Sequence, residues 1–520
     1  MSAPPVLIVG AGPTGLALAL WLTRLGVGVR IIDRVAEPGT TSRALAVQAR
    51  TLEFYRQVGL ADTIVAGGRR LDALNFWARG RRVTRAVFGA MGAGLSPFPY
   101  ALIFAQDQHE RVLIERLAEA GVKVERRVEL LSFEDAGSRV VARLRRSDGT
   151  EETCETPYLA GCDGAHSTVR ETLGVGFPGG TYEHLFYVAD VEARGPAVNG
   201  ELHGSLDEAE FVLVFPLKDD RRARFVGVVR EAAETKADVL TWDDVSKDLL
   251  GRMRVEIERV NWFSTYRVHH RVADRFQQGR AFLLGDAAHI HSPVGGQGMN
   301  TGIGDAVNLA WKLAAVLGGG ADAALLDTYE AERIAFARRL VATTDRAFTV
   351  VTSRGRLARW VRLQIAPRVI PLLTSFKAVR RLMFLTISQT TIRYRGSPLS
   401  VGAAGRVCGG DRLPWVPLDG SEDNFTPLAS VDWQLHVYGE ATSELAEACR
   451  QRRVALHVFP WRGTMRRAGL RRHAAYLIRP DGHVALADPG ARAATLEAYL
   501  DALHRAGPRV AGGKHVSRTN

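Results

Sequence analysis

The 520-residue chain has only four cysteines, and their spacing supports no redox or cross-linking chemistry. Cys154, Cys162, Cys408 and Cys449 form no CxxC pair, which excludes a disulfide scaffold and fits a reducing cytoplasm. No stretch of about 20 apolar residues occurs, so no membrane span is expected. The start, MSAPPVLIVGAG, lacks the charged leader of a signal peptide. VIPLLTSFKAVRRLMFLTI is apolar but interrupted by Lys377, Arg380 and Arg381, and reads first as a packed helix, with membrane contact as the alternative. Zinc-finger spacing is missing, as is any basic helix with interleaved aromatics. The net charge of +12 is carried by scattered arginines, with modest clusters at Arg79–Arg85 and Arg354–Arg381. It therefore does not point to nucleic acid. His289 and His291 stand two apart with no carboxylate at metal-ligand spacing. No metal is expected there, and the histidines read as structural hydrogen-bonding groups.

Glycine, by contrast, is abundant and placed. PVLIVGAGPTGLALALWLTRLGVGVRIIDR reads as strand, turn, helix and strand. Val6–Val9 is a short apolar run, and Gly10, Gly12 and Gly15 form GxGxxG. The helix runs to about Leu25, and Val29–Ile32 forms the second strand, with Asp33 at its end. In such a turn the first glycine permits the tight bend. The second lets a pyrophosphate approach the backbone, and the third lets helix and strand pack closely. The pyrophosphate sits at the helix N-terminus, where free amides and the dipole favour an anion. Asp33 stands roughly 20 residues on, where an acid accepts from a ribose diol.

Two further segments specify the dinucleotide. YLAGCDGAHSTVRETLG carries Asp163–Gly164 after an apolar strand, with Arg170 further on. GRAFLLGDAAH carries Gly285–Asp286 after another. In this order and at these separations the three motifs resemble the FAD-dependent aromatic hydroxylases. These are single-component flavoprotein monooxygenases, whose relatives include p-hydroxybenzoate hydroxylase, phenol hydroxylase and the polyketide and rifampicin hydroxylases. SQTTIRYRGSPLS and LIRPDGHVA look like later landmarks of the polyketide and phenol hydroxylase branch, so the resemblance covers the whole chain.

The resemblance implies an α/β architecture: a Rossmann-like FAD domain, an inserted substrate-binding β-sheet domain and a C-terminal thioredoxin-like domain. The expected FAD domain is discontinuous, at 1–75, 100–178 and 270–350. The sheet domain takes 76–100 and 179–270, a helical link 351–398, and the thioredoxin-like region, without CxxC, 400–515. FAD contacts are implied at Gly10, Gly12, Gly15, Asp33, Arg34, Arg43, Arg50, Gln106, Leu130, Asp163, Arg170 and Asp286. Gly296, Gly298, Met299 and Asn300 would hold the flavin ring at a helix start. Pro293, Gly295 and Gly296 are the residues expected at the reacting centre, through backbone and pocket shape. Alternation makes Phe211, Leu213, Phe215 and Val226 candidates for the substrate wall.

The implied activity is hydroxylation of an aromatic, multi-ring phenolic substrate through a C4a-hydroperoxyflavin. NADPH or NADH would bind transiently as reductant, because no second dinucleotide fingerprint is present, and O2 is the co-substrate. Baeyer–Villiger or drug-inactivating oxygenation on the same scaffold is the alternative chemistry, and a non-catalytic FAD-binding role the alternative of another class. The expected partner is a small aromatic molecule, with no nucleic acid and no membrane span, and the chain is a monomer or homodimer in the cytoplasm.

Overall fold

The computed structural model describes residues 5–39, 44–205, 212–229, 240–245, 247–292, 295–352, 364–420 and 422–505. The chain divides into two compact units, Met1–Val307 with Arg333–Thr391, and Asn308–Glu332 with Ile392–Asn520.

Val6–Val9 carries no polar side chain and is buried along its whole length. A strand apolar on both faces belongs at the centre of a parallel sheet covered on both sides. It lies there, between Val29–Asp33 and Tyr158–Gly161, parallel to both. Ala281–Leu283 and Val124–Arg126 extend the parallel set, and Gln277–Gln278 closes one edge antiparallel. The register matters for function. Val9 is level with Ile32 and Gly161, and Gly161 with Leu283. The loops after these strands therefore leave from one edge of the sheet. They carry Gly10–Gly15, Asp33, Asp163 and Asp286. Ligands of open parallel sheets bind beyond the carboxyl ends of the strands.

An eight-stranded sheet forms the second layer of this unit. Its order is His289–Ile290, Glu256–Val272, Gly179–Arg194, Arg222–Val228, Val212–Pro216, Leu202–Ser205, Ala73–Ala78 and Arg81–Val87. Strand periodicity sorts its side chains onto two faces. Leu185, Tyr187, Ala189, Val191, Val212, Val214 and Phe225 pack with Leu250 and Met253 in one core. The intervening residues point the other way; Phe186, Val188, Leu213, Phe215 and Val226 are apolar, and the ion-paired Asp190 and Arg224 lie among them.

The second unit holds a six-stranded mixed sheet. Gln434–Tyr438 and Ala455–Phe459 are parallel, with helix Ser443–Gln451 between them in sequence. Ala475–Ile478 and Val484–Asp488 follow as an antiparallel hairpin, and helix Ala493–Arg505 comes last. Apolar clusters lie on both faces. Among them sits a buried set of charges. Glu332 accepts from Arg479 Nη1 (2.7 Å) and Nη2 (3.0 Å), from Lys312 (2.9 Å), from Asn308 (2.6 Å) and from Ser397 (2.7 Å). Arg479 also pairs with Asp481. Two cations meet two anions, and Arg479 lies over the Trp311 and Tyr394 rings. Burial works against the charge on Glu332, but Arg479 and Lys312 outweigh it and hold its carboxyl well below the usual range. Burial lowers Lys312 to about 8.

Candidate functional site: a glycine-lined cradle at two helix starts

The first glycine turn tests itself by geometry. Gly10 has φ +101°, and a side chain there would run into the backbone of Cys162. A side chain on Gly15 would strike the carbonyl of Gly10. Those two glycines are required by the protein's own packing. Gly12 is different: its backbone is extended and a Cβ there would meet nothing within 4 Å. It opens helix Pro13–Arg24, whose start no side chain caps. The first amides of a helix lack intrahelical partners and favour an anion. Open space, a bare backbone and an uncapped helix start fit a pyrophosphate. Asp33 ties this turn to the next strand, accepting from Ala11 N (2.7 Å) and Val35 N (2.9 Å). A carboxylate has about four lone-pair sites, so capacity remains for a diol. Arg126 stands 3.5 Å away.

Thr14, one residue into that helix, sets the next contact. Side chains at Gly285 or Gly302 would both collide with its hydroxyl. The helix start, the Gly285–Ala287 turn and helix Gly298–Leu317 therefore meet at Thr14. Behind the meeting point lies a buried triple. His289 Nε2 donates to Asp305 (2.7 Å), Arg333 Nε donates to the same carboxylate (2.6 Å), and Gly285 N donates to it (3.0 Å). Arg333 also reaches the carbonyl of Thr301 (3.0 Å). Burial opposes the charge on Asp305, yet Arg333 and His289 keep its carboxyl below the ordinary range. This network pins the turn that presents Asp286, itself exposed, to the long helix.

The loop 295–300 is held by side chains from distant segments. Gly296 has φ +60° and backs onto the Ala46 methyl, leaving no room for a side chain. Asn300 Oδ1 accepts from Gln48 N (2.8 Å) and Thr51 Oγ1 (2.7 Å). Its Nδ2 donates to the carbonyls of Ala46 and Gly296, both at 2.8 Å. Gln48 Nε2 donates to Gly295 O (2.8 Å), and Gln389 Nε2 to Thr301 Oγ1 (2.9 Å). Each such bond contributes about 1 kcal/mol net. Their sum is a rigid backbone ledge at the start of helix Gly298–Leu317. Met299 rests its sulfur 3.3 Å from His109 Nδ1, and His109 Nε2 meets the Tyr55 hydroxyl at 2.5 Å. Burial pushes His109 down to about 3, so its ring is neutral.

The second face of the eight-stranded sheet lies on the wall-candidate side. Leu213 and Val226 are register partners, and both are half-buried, opposite the core residues Val212, Val214 and Phe225. Phe215 packs against Leu45, Ile103 and Ala105. Leu45 precedes Ala46 of the ledge, so this wall and the glycine ledge share a border. Phe186, Val228 and Tyr266 continue the same apolar face.

The structure gives the other sequence candidates definite places. Arg50 is buried and paired with Glu53 (2.9 Å), under the Phe54 ring. Arg170 is spent on the carbonyls of Ala287 (3.0 Å) and Ala165 (2.9 Å), so it braces the Asp286 turn. Asp163 accepts from Ser167 (2.6 Å) and Val169 N (3.1 Å), and burial raises its carboxyl. Gln106 donates to Glu110 (2.8 Å), whose carboxyl burial also raises. Leu130 is buried, with Leu144 opposite it on the neighbouring strand. Arg34 is exposed. Arg43, Pro293 and Phe211 lie outside the described residues. Sequence reading missed Thr14, Gln48, Glu110, Asp305, Arg333 and Gln389. Gln389 sits in SQTTIRYRGSPLS, so the landmark itself was the available signal.

Comparison with known proteins agrees with this geometry. Residues 4–344 match the family model described as FAD binding domain. The chain is 37% identical to 6-methylpretetramide 4-monooxygenase of Streptomyces rimosus, over 96% of this chain and 94% of that protein. Among solved structures, OxyS anhydrotetracycline hydroxylase from Streptomyces rimosus superposes with a TM-score of 0.77. It is 30% identical, over 96% of this chain and 99% of that one. A ternary complex of aklavinone-11 hydroxylase with FAD and aklavinone gives 0.76 at 27% identity, over 96% and 98%.

Proposed function

The chain belongs to the FAD-dependent aromatic monooxygenases, and from that premise we propose that it hydroxylates a polycyclic phenolic substrate of polyketide type. The carrying observation is the shared border of two surfaces: a backbone ledge at a helix start, and a sheet face of apolar and aromatic side chains with the Arg224–Asp190 pair among them. FAD, when bound, accepts a hydride from NAD(P)H and activates O2. The rest is the chain's part. Gly12 and the start of helix Pro13–Arg24 hold the pyrophosphate, Asp33 the ribose, and Asp286 the ribityl hydroxyls. Gly296, Gly298, Met299 and Asn300 offer main-chain amides to the flavin ring. The Asn300 side chain is saturated by protein groups, so its contribution is to hold the ledge. Amides fixed before the reaction stabilise developing negative charge without reorganisation. Leu213, Phe215 and Val226 line the wall, orienting flat rings and excluding water.

The relatives support a multi-ring substrate, since their names include 6-methylpretetramide, anhydrotetracycline and aklavinone. The strand order of the C-terminal sheet, a βαβ unit followed by a ββα unit, supports a thioredoxin-like reading of that region. A cytoplasmic monomer or homodimer is part of the same reading.

The test is substrate-dependent NADPH oxidation across a panel of polycyclic phenols, with mass spectrometry of products. One added oxygen with every ring intact is expected. Ring expansion to a lactone would favour the Baeyer–Villiger alternative. Protein that binds no FAD, or consumes no NADPH with any phenol, would sink the proposal. Leu213→Ala should raise KM several-fold, about 1 kcal/mol, while FAD content is retained.

A further inference from the structure

Helix Ala366–Ser375 and its junction with helix Lys377–Ile387 put large apolar side chains on the surface, while Phe384 of the second helix is buried. A surface helix normally buries its apolar stripe and shows polar residues to water. Here Val369, Leu372 and Leu373, which share a face at i, i+3 and i+4, are exposed, the leucines by 61% and 45%. Phe376, at the junction, and Leu382 are exposed by 55% and 65%. The polar Thr374 is turned inward at 5%. Large apolar side chains gathered on a surface mark a site that something covers.

Charge says what covers it. The two helices carry no acidic residue and four basic ones, Arg368, Lys377, Arg380 and Arg381. On these helices Lys377 and Arg381 are exposed, and Arg368 and Arg380 reach only backbone or amide oxygens in the bonds described. Helix Ala366–Ser375 also packs beside strand Arg81–Val87, RRVTRAV. That strand carries Arg81, Arg82 and Arg85, and Arg85 is paired with Glu201. Val83 and Val87 of that strand are exposed as well.

We propose that this face docks on an anionic lipid surface, with Leu372, Leu373, Phe376 and Leu382 entering the headgroup–acyl boundary and the lysine and arginines meeting lipid phosphates. Protruding leucine and phenylalanine and a cationic fringe, on helices that carry no acid, are the components of interfacial binding. No helix among the described residues is long and apolar enough to span a membrane, so the contact is peripheral.

The experiment is flotation of the FAD-loaded, full-length protein with phosphatidylcholine vesicles, with and without phosphatidylglycerol. Binding only with phosphatidylglycerol, weakened by salt, is expected. Lys377→Gln and Arg381→Gln should each lower partitioning about five-fold. Leu372→Glu with Phe376→Glu should abolish it, with FAD content and NADPH oxidation in vesicle-free buffer unchanged. Equal flotation with neutral and anionic vesicles would overturn the proposal, as would full binding by the double-glutamate variant. A vesicle-inert protein that forms a dimer lost in that variant would also overturn it, assigning the face to a second copy. A vesicle-inert protein that is retained on an immobilised acidic protein would do the same, assigning it to a protein partner.

Discussion

Two buried polar centres are built on opposite plans. In the first unit, the ledge at 295–300 and the turn at Gly12 are mostly backbone. Their supporting side chains, Asn300, Gln48 and Gln389, bond to protein groups. In the second unit, Glu332, Arg479, Lys312 and Asp481 satisfy one another completely enough to stay ionised without water. The first arrangement is the one we propose a ligand completes. The second is finished by the fold. A charged cluster is therefore poor evidence of a site, and an apparently empty stretch of glycine is good evidence of one.

The largest effect should come from breaking the closed centre. Glu332→Ala strands two buried cations and should cost about 3–5 kcal/mol, read by denaturant unfolding. Its pH signature follows from the lowered carboxyl. A depressed acid contributes stability above its ordinary value of 4.5, and loses it as pH falls below that value. Melting temperature should thus fall on acidification, and Glu332→Gln should flatten that dependence. A variant as stable as the parent would erase the contrast between the two centres.

The next test separates brace from ligand contact within the first unit. His289→Ala removes one of the Asp305 partners and should cost about 1–3 kcal/mol in stability while FAD is retained. Asp286→Ala should leave melting of the FAD-free protein unchanged and weaken FAD binding, seen by ultrafiltration of the yellow cofactor. If the two outcomes were exchanged, histidine would be the contact and aspartate the brace. The smallest expected effect on the protein itself is that of Gly12→Val. Nothing in the chain obstructs the added side chain, so the FAD-free fold should melt unchanged, while FAD affinity falls about ten-fold, 1.4 kcal/mol. Equal destabilisation of the FAD-free protein would mean that Gly12 serves packing, as Gly15 does.

Much of the cofactor half was legible in advance. GAGPTG between two apolar strands predicts its own turn, because the rule is local: each glycine answers to a neighbour within a few residues. The same holds for Asp33, which closes the second strand. The roles of the cations were not legible. Arg50 and Arg170 were expected among the cofactor contacts; one is paired with Glu53 and the other bonds to two carbonyls, and those partners depend on packing. Phe215 and Leu213 could be assigned to one strand face by alternation, but not to the face that borders the ledge. The apolar run at 369–387 left packing and membrane contact open, and the structure divides it: Phe384 is buried, while Leu372, Leu373 and Phe376 are exposed, because composition alone carries no direction.

What the residues determined by themselves was the parallel sheet, the glycine turn, the long helix after Gly298 and, through the motifs together, the family. Those features follow from short-range sterics and periodicity. Tertiary structure alone decided that Thr14 joins three segments separated by almost the whole first unit. It also decided that residues 308–332 group with the C-terminal unit, and that "SQTTIRYRGSPLS" splits its work. Gln389 braces the ledge, while Ser397 completes the charge cluster. Such choices rest on contacts between residues hundreds of positions apart, where a side chain's role is set by what the fold brings against it.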